Sequence, residues 1–174
     1  MKKKQIFTLV SVGLIAVALV LWMFLNSVKF HFDDKSGFFT GLTMISGDTY
    51  VYETVLPVLG EQTFQFPLTG FNVIALLVPI FGLIVIGFGV LSFFIKSNER
   101  ITAALYGFMT FLFLLAGLTM SLSHVDSLRQ YLSVLPDGLD YSYGWSLSLG
   151  SYLALGLGLA ATGTTIYSLL KVEE

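Results

Sequence analysis

The chain has 174 residues, 55% hydrophobic and 11% charged, with a net charge of −2 and a mean hydropathy of +0.83. Soluble globular domains keep about a quarter of their residues charged, so this composition excludes an ordinary water-soluble fold. The absence of cysteine excludes disulfide staples, thiol catalysis, Cys-ligated zinc and quinone-linked disulfide chemistry.

Met1-Lys2-Lys3-Lys4 opens onto the first of four apolar runs that contain no charged residue: 5–26, 71–95, 101–123 and 145–170. At about 1.5 Å per helical residue, each is long enough to cross a hydrocarbon core of roughly 30 Å. No small-x-small cleavage pattern follows Asn26-Ser27-Val28, so the first run is predicted to be a retained helix rather than a removed signal. These runs predict an all-α, four-helix membrane bundle forming one domain over 1–174.

The segment 27–70 reads as strands. Val28-Lys29-Phe30-His31-Phe32 and Thr49 to Val55 are rich in β-branched and aromatic residues, and Gln62-Thr63-Phe64-Gln65-Phe66 alternates polar and apolar up to Pro67. A hairpin about Gly60-Glu61 is expected, with Gly37, Gly41 and Gly47 punctuating the stretch before it. The prediction is a small sheet of about three strands, made by this segment alone and capping the helices. Pro79 lies inside the second run and predicts a kink. Lys96-Ser97-Asn98-Glu99-Arg100 is short enough to force the second and third helices into an antiparallel hairpin.

In the segment 124–144, Val125, Leu128, Leu132 and Leu135 recur at helical spacing until Pro136-Asp137-Gly138, which predicts a short interfacial helix or an extension of the third helix. Tyr141, Tyr143 and Trp145, with Trp22 near the end of the first run, are expected at lipid headgroup level.

Orientation follows from the basic residues. A cytoplasmic N-terminus places Lys2, Lys3, Lys4, Lys96, Arg100 and Lys171 inside, against Lys29, Lys35 and Arg129 outside. Both termini are then cytoplasmic, the segments 27–70 and 124–144 are outer loops, and 96–100 is the inner loop. Too few residues remain inside to build a catalytic or nucleotide-binding domain. The Gly156-Leu157-Gly158-Leu159-Ala160-Ala161 stretch matches a loose dinucleotide fingerprint, but it lies inside a span without a preceding strand. The outer segments hold eight acids against three basic residues, which disfavours nucleic acid as a partner.

Lipid gives helices no hydrophobic reason to associate, so small residues that permit close approach carry weight. In the fourth run Gly150, Ala154, Gly158 and Thr162 recur every four residues, and Gly156, Ala160 and Thr164 form an adjacent line. Either line is expected to pack the bundle internally or to dock another membrane protein or a second copy. Ionisable residues inside spans mark ion and proton pathways, and these runs contain none.

One constellation has metal-ligand chemistry. His31-Phe32-Asp33 and His124-Val125-Asp126 each place an imidazole two residues from a carboxylate, on the same side of an extended chain. Together they would supply two His and two carboxylates, an acceptable shell for zinc. Juxtamembrane polar residues more commonly only solvate helix ends, so no metal, cofactor or catalytic residue is assigned. Ser36, Ser123 and Ser127 can be paired with His31 or His124 on paper, without a motif to fix them.

The basic start, Ser36-Gly37, the run Gly41-Leu42-Thr43-Met44-Ile45-Ser46-Gly47, Phe71-Asn72-Val73 and the glycine-rich stretch from Leu149-Gly150 to Gly163 resemble a group of four-span proteins of Gram-positive bacteria and mollicutes. The layout of a β-rich first outer loop on four helices is also similar to claudins and related tetraspan proteins. Gly41-Leu42 matches part of the claudin loop signature, whose tryptophans and paired cysteines are missing here. The resemblance implies a bacterial plasma-membrane protein. By elimination, the expected role is a non-enzymatic interaction, accessory or structural subunit in the lipid bilayer. The alternatives are a small-solute or ion permeation component and an outward-facing, metal-dependent enzyme.

Overall fold

A computed structural model describes residues 3–32, 35–56, 60–69, 72–94, 99–132 and 143–171. In chain order these form α1 (Lys3–Phe24), β1 (Asn26–Phe32), β2 (Lys35–Thr40), α2 (Gly41–Ser46), β3 (Asp48–Leu56), β4 (Gly60–Thr69), α3 (Val73–Phe94), α4 (Glu99–Leu132), β5 (Tyr143–Leu147) and α5 (Leu149–Lys171). Among the described residues, four helices are long and apolar enough to cross a membrane: Lys4–Phe24, Val73–Phe94, Arg100–Met120 and Leu149–Leu170.

The four long helices pack as a ring in which α1 touches α3 and α5, and α4 touches the same two. Every neighbouring pair is antiparallel. Between α3 and α4, Gly82 lies on Met109 and Gly89 on Tyr106, and between α4 and α5, Gly158 lies on Thr110 and Gly117 approaches Ser151. Phe7 meets Tyr167 and Ser11 meets Thr164 between α1 and α5. The start of α1 and the end of α5 therefore lie at one end of the bundle, and the strands gather at the other.

The distribution of side-chain size is the reverse of a soluble bundle. The buried line of α3 is Ala75, Val78, Gly82, Val85 and Gly89, while its outward face carries Leu77, Ile80, Leu83, Ile84 and Leu91. Leu83 is 67% exposed and Leu159 of α5 is 65% exposed. Large apolar residues on the outside and small ones between helices is the pattern expected where the solvent is itself apolar. α3 runs unbroken through Pro79.

The strand end departs from the sequence reading in several ways. The predicted strands at Val28, Thr49 and Gln62 all form, but they do not make one sheet from one segment. β1 pairs with β2 on one side and with β5 on the other, giving the antiparallel order β2-β1-β5, while β3 and β4 form a separate antiparallel hairpin. The fourth run was expected to be helical from 145, yet Trp145–Leu147 belong to β5 and the helix begins at Leu149. Trp145 pairs with Phe30, and the Tyr-Gly-Trp-Ser-Leu alternation suits a pleat with one covered face better than a helical turn. The third helix extends to Leu132, so the helical spacing after Ser123 belongs to α4.

β2 and α2 occupy the stretch that the sequence reading treated as glycine punctuation. The chain turns from β2 into α2 through a capping box: the Thr43 amide donates to Thr40 Oγ1 at 3.3 Å, and the Thr40 amide donates to Thr43 Oγ1 at 2.8 Å. Gly47 closes α2 with φ 80°, a conformation open to glycine, and its amide donates to the Thr43 carbonyl at 3.0 Å.

Trp22 is not an interface anchor. It is 0% exposed, covered by the start of α2 and tilted against Phe113 at 6.1 Å between ring centroids. A Cβ on Gly41 would collide with its indole ring and would lie 2.7 Å from its carbonyl oxygen, so the absence of a side chain at position 41 allows α2 to seat there. Val28, Phe30, Phe39 and Met44 complete this cluster and join sheet to helices in one core.

Candidate functional site

Of the His and Asp residues with metal-ligand chemistry, only His31 is described with its side chain. His31 stands on the exposed face of β1, opposite Ser36 of β2 and Gly144 of β5. Its ring lies over Gly144, where a Cβ would collide with it. The register thus brings His31 and Ser36 opposite each other, but the imidazole leans toward the other neighbouring strand, so geometry does not assemble a Ser-His pair. Asp33 lies outside the described residues. His124 and Asp126 lie on α4, and their side chains are outside the described set. The extended geometry assumed for that pair does not hold, because residues two apart on a helix do not share a face. Among the described residues no group of three or more His, Cys, Asp or Glu could hold a metal ion.

The small residues of α5 separate into two faces. Ala154 is 0% exposed, and Gly150 and Gly158 are also buried. A Cβ on Gly150 would lie 3.0 Å from the carbonyl oxygens of Leu25 and Asn26 and 2.6 Å from Ser27 Oγ. Gly158 lies directly against the Thr110 hydroxyl, and Thr162 approaches Gly107 and donates to the Gly158 carbonyl at 2.9 Å. This line contacts α1, β1 and α4 of its own chain. Gly156 and Ala160 face outward, and the space around Gly156 and Gly163 is open. Leu153 and Leu159 are exposed on the same helix.

Hydroxyls join the helices at two levels. Ser11 Oγ and Thr164 Oγ1 are 2.7 Å apart, and Thr165 Oγ1 donates to Ser11 Oγ at 3.1 Å, linking α1 to α5 mid-bundle. At the strand end, Ser27 Oγ donates to the Trp22 carbonyl at 2.9 Å, closing the last turn of α1. The Ser27 carbonyl accepts from both the Ser148 amide and Ser151 Oγ, each at 2.8 Å. Asn72 caps α3 through its side-chain oxygen, which accepts from the Ile74 and Ala75 amides at 2.9 and 3.1 Å, while Nδ2 donates to Thr119 Oγ1 of α4 at 3.4 Å. The sequence reading did not single out this junction. Asn72, at the start of the second uncharged apolar run, carried the signal of a helix start.

The outward face of the three-stranded sheet carries Lys29, His31, Ser36, Phe38 and Ser146, and the Lys29 ammonium sits 5.9 Å from the Phe38 ring centroid. No protein-family model matches the chain, and no curated protein matches it.

Proposed function

We propose that the protein is a non-enzymatic, multi-pass membrane protein of the bacterial cell membrane, acting as an interaction or accessory subunit with a claudin-like tetraspan layout. Its four long helices would cross the bilayer with both termini in the cytoplasm. The strand end would face outward, in keeping with the six basic residues near the helix ends and linker on the inner side and three in the outer segments. The observation that carries the reading is the outer face of α5. Its inner line of small residues is occupied by α1, β1 and α4, whereas Gly156, Ala160 and Gly163 leave a flat strip with open space before it. In lipid such a strip supports close approach by another helix.

The test is extraction of the tagged protein in mild detergent, with native mass measurement and identification of what co-purifies. A stoichiometric partner, either another membrane protein or a second copy, is expected for the unaltered chain. It should be lost on Gly156→Leu, a change that has room in the isolated chain. A monomer that carries nothing, or a complex indifferent to Gly156→Leu, would end the proposal for this face.

A further inference from the structure

We propose that the cleft between α1 and α3, at the end of the bundle carrying Lys4 and Arg100, holds one acyl chain of an anionic phospholipid. This rests on the membrane placement proposed above, but not on the partner role. Past the contact of Gly89 with Val12, the two helices leave a cleft of about 210 Å³, walled by Leu9 and Val12 of α1 and by Gly89, Val90, Phe93 and Phe94 of α3. That is smaller than the roughly 300–1,000 Å³ typical of pockets for compact ligands, and it suits a linear chain.

The walls offer nothing to a polar solute. Thr8 also lines the cleft, but its hydroxyl donates back to the Lys4 carbonyl at 3.2 Å, and the nearby Ser92 hydroxyl donates to the Gly89 carbonyl at 2.6 Å. A gap left empty in lipid forfeits the dispersion contacts of every atom that lines it, and acyl chains are what a bilayer supplies to fill it. Moving a chain from lipid into an apolar cleft gains no hydrophobic free energy, so selection among lipids falls to the headgroup. Lys4 and Arg100 are exposed at this end, and Lys4 stands one turn, about 6 Å, from Thr8. A phosphate held at their level by charge-assisted hydrogen bonds would run its first methylenes past Thr8 to Val12.

The experiment places the full chain in vesicles containing phosphatidylglycerol with a diazirine in one acyl chain, and maps the photolabelled residues by mass spectrometry. Labelling at Leu9, Val90, Phe93 and Phe94 should exceed that at the equally lipid-facing Leu159 and Ile166 of α5. Val90→Trp, at an exposed position, should remove the excess, whereas Ile84→Trp on the same helix should leave it. Lys4→Gln and Arg100→Gln should each lower it about five-fold, the worth of one basic residue at an anionic surface. Even labelling of both faces, an undiminished excess in Val90→Trp, or the same excess with a phosphatidylcholine probe would overturn the site. Protein that alkaline washing strips from the vesicles would overturn the membrane placement as well, so the two failures are told apart.

Discussion

The two ends of the helix bundle are built by different means. At the strand end α1 stops at Phe24 and the chain enters β1 within two residues, so backbone groups that a continuing helix would satisfy need other partners. Ser27, Ser148 and Ser151 supply them, Asn72 caps the start of α3, and Trp22 is sealed beneath α2. At the opposite end α1 and α3 stand apart over an apolar cleft, with Phe94 80% exposed. The contrast shows that direction in this molecule comes from hydrogen bonds and close backbone approach, while the apolar faces contribute contact without specifying an arrangement.

A large break in that contrast is expected from Gly150→Leu. The new side chain would be driven into the Leu25 and Asn26 carbonyls, so a loss at or above the overpacking range of about 1–3 kcal/mol is expected. Thermal unfolding in detergent should place it far below Gly156→Leu, which should fall within about 0.5 kcal/mol of the unaltered chain. If the two unfold alike, the strand end is not the rigid one. Trp22→Ala should cost about 3–5 kcal/mol as a fully buried aromatic. The same residue can be watched directly: with Trp145→Phe, the remaining Trp22 should emit in the blue and resist iodide, whereas quenching would return it to the headgroup region.

Smaller effects refine the comparison. Asn72→Ala should cost about 1 kcal/mol through loss of the α3 cap, seen as earlier hydrogen exchange at the Ile74 and Ala75 amides. Unchanged exchange there would show that the cap carries no load. Ser11→Ala, which removes the mid-bundle link to Thr164 and Thr165, should cost only about 0.6 kcal/mol, near the average for hydrogen bonds between membrane helices. An effect as large as that of Trp22→Ala would mean that specificity extends well below the strand end.

The helices were legible in the sequence because each is a continuous uncharged run, a signal that needs no knowledge of neighbours. The hairpin was legible at Gln62–Phe66, whose alternation is local and whose partner β3 lies just before it. What escaped detection depends on distant residues. Nothing near Tyr143 announces pairing with Phe32, and an aromatic cluster beside an apolar run has the same composition whether it meets headgroups or a strand. Trp22 was misplaced for the same reason. Its position near a helix end suggested the interface, but six residues of α2, nucleated by a Thr-x-x-Thr cap in a glycine-punctuated stretch, cover it. At the candidate site, the face of α5 on which each small residue falls follows from helical period, but which face is already occupied depends on where α1 and α4 stand. The extended spacing assumed for His124 and Asp126 falls within a helix, whose length beyond Ser123 depends on how α4 packs rather than on local composition.

The middle position of β1 in its sheet has a consequence for synthesis. β2 emerges directly after it, but β5 is encoded more than a hundred positions later, after α3 and α4. At ribosomal speeds of about 5–20 residues per second, one edge of β1 waits on the order of ten seconds for its second partner. Throughout that interval the nascent chain presents an open row of amides and carbonyls between Val28 and Phe32. Arrival of the last helix therefore does two jobs at once: it completes the ring and retires the edge on which a neighbouring nascent chain would otherwise template.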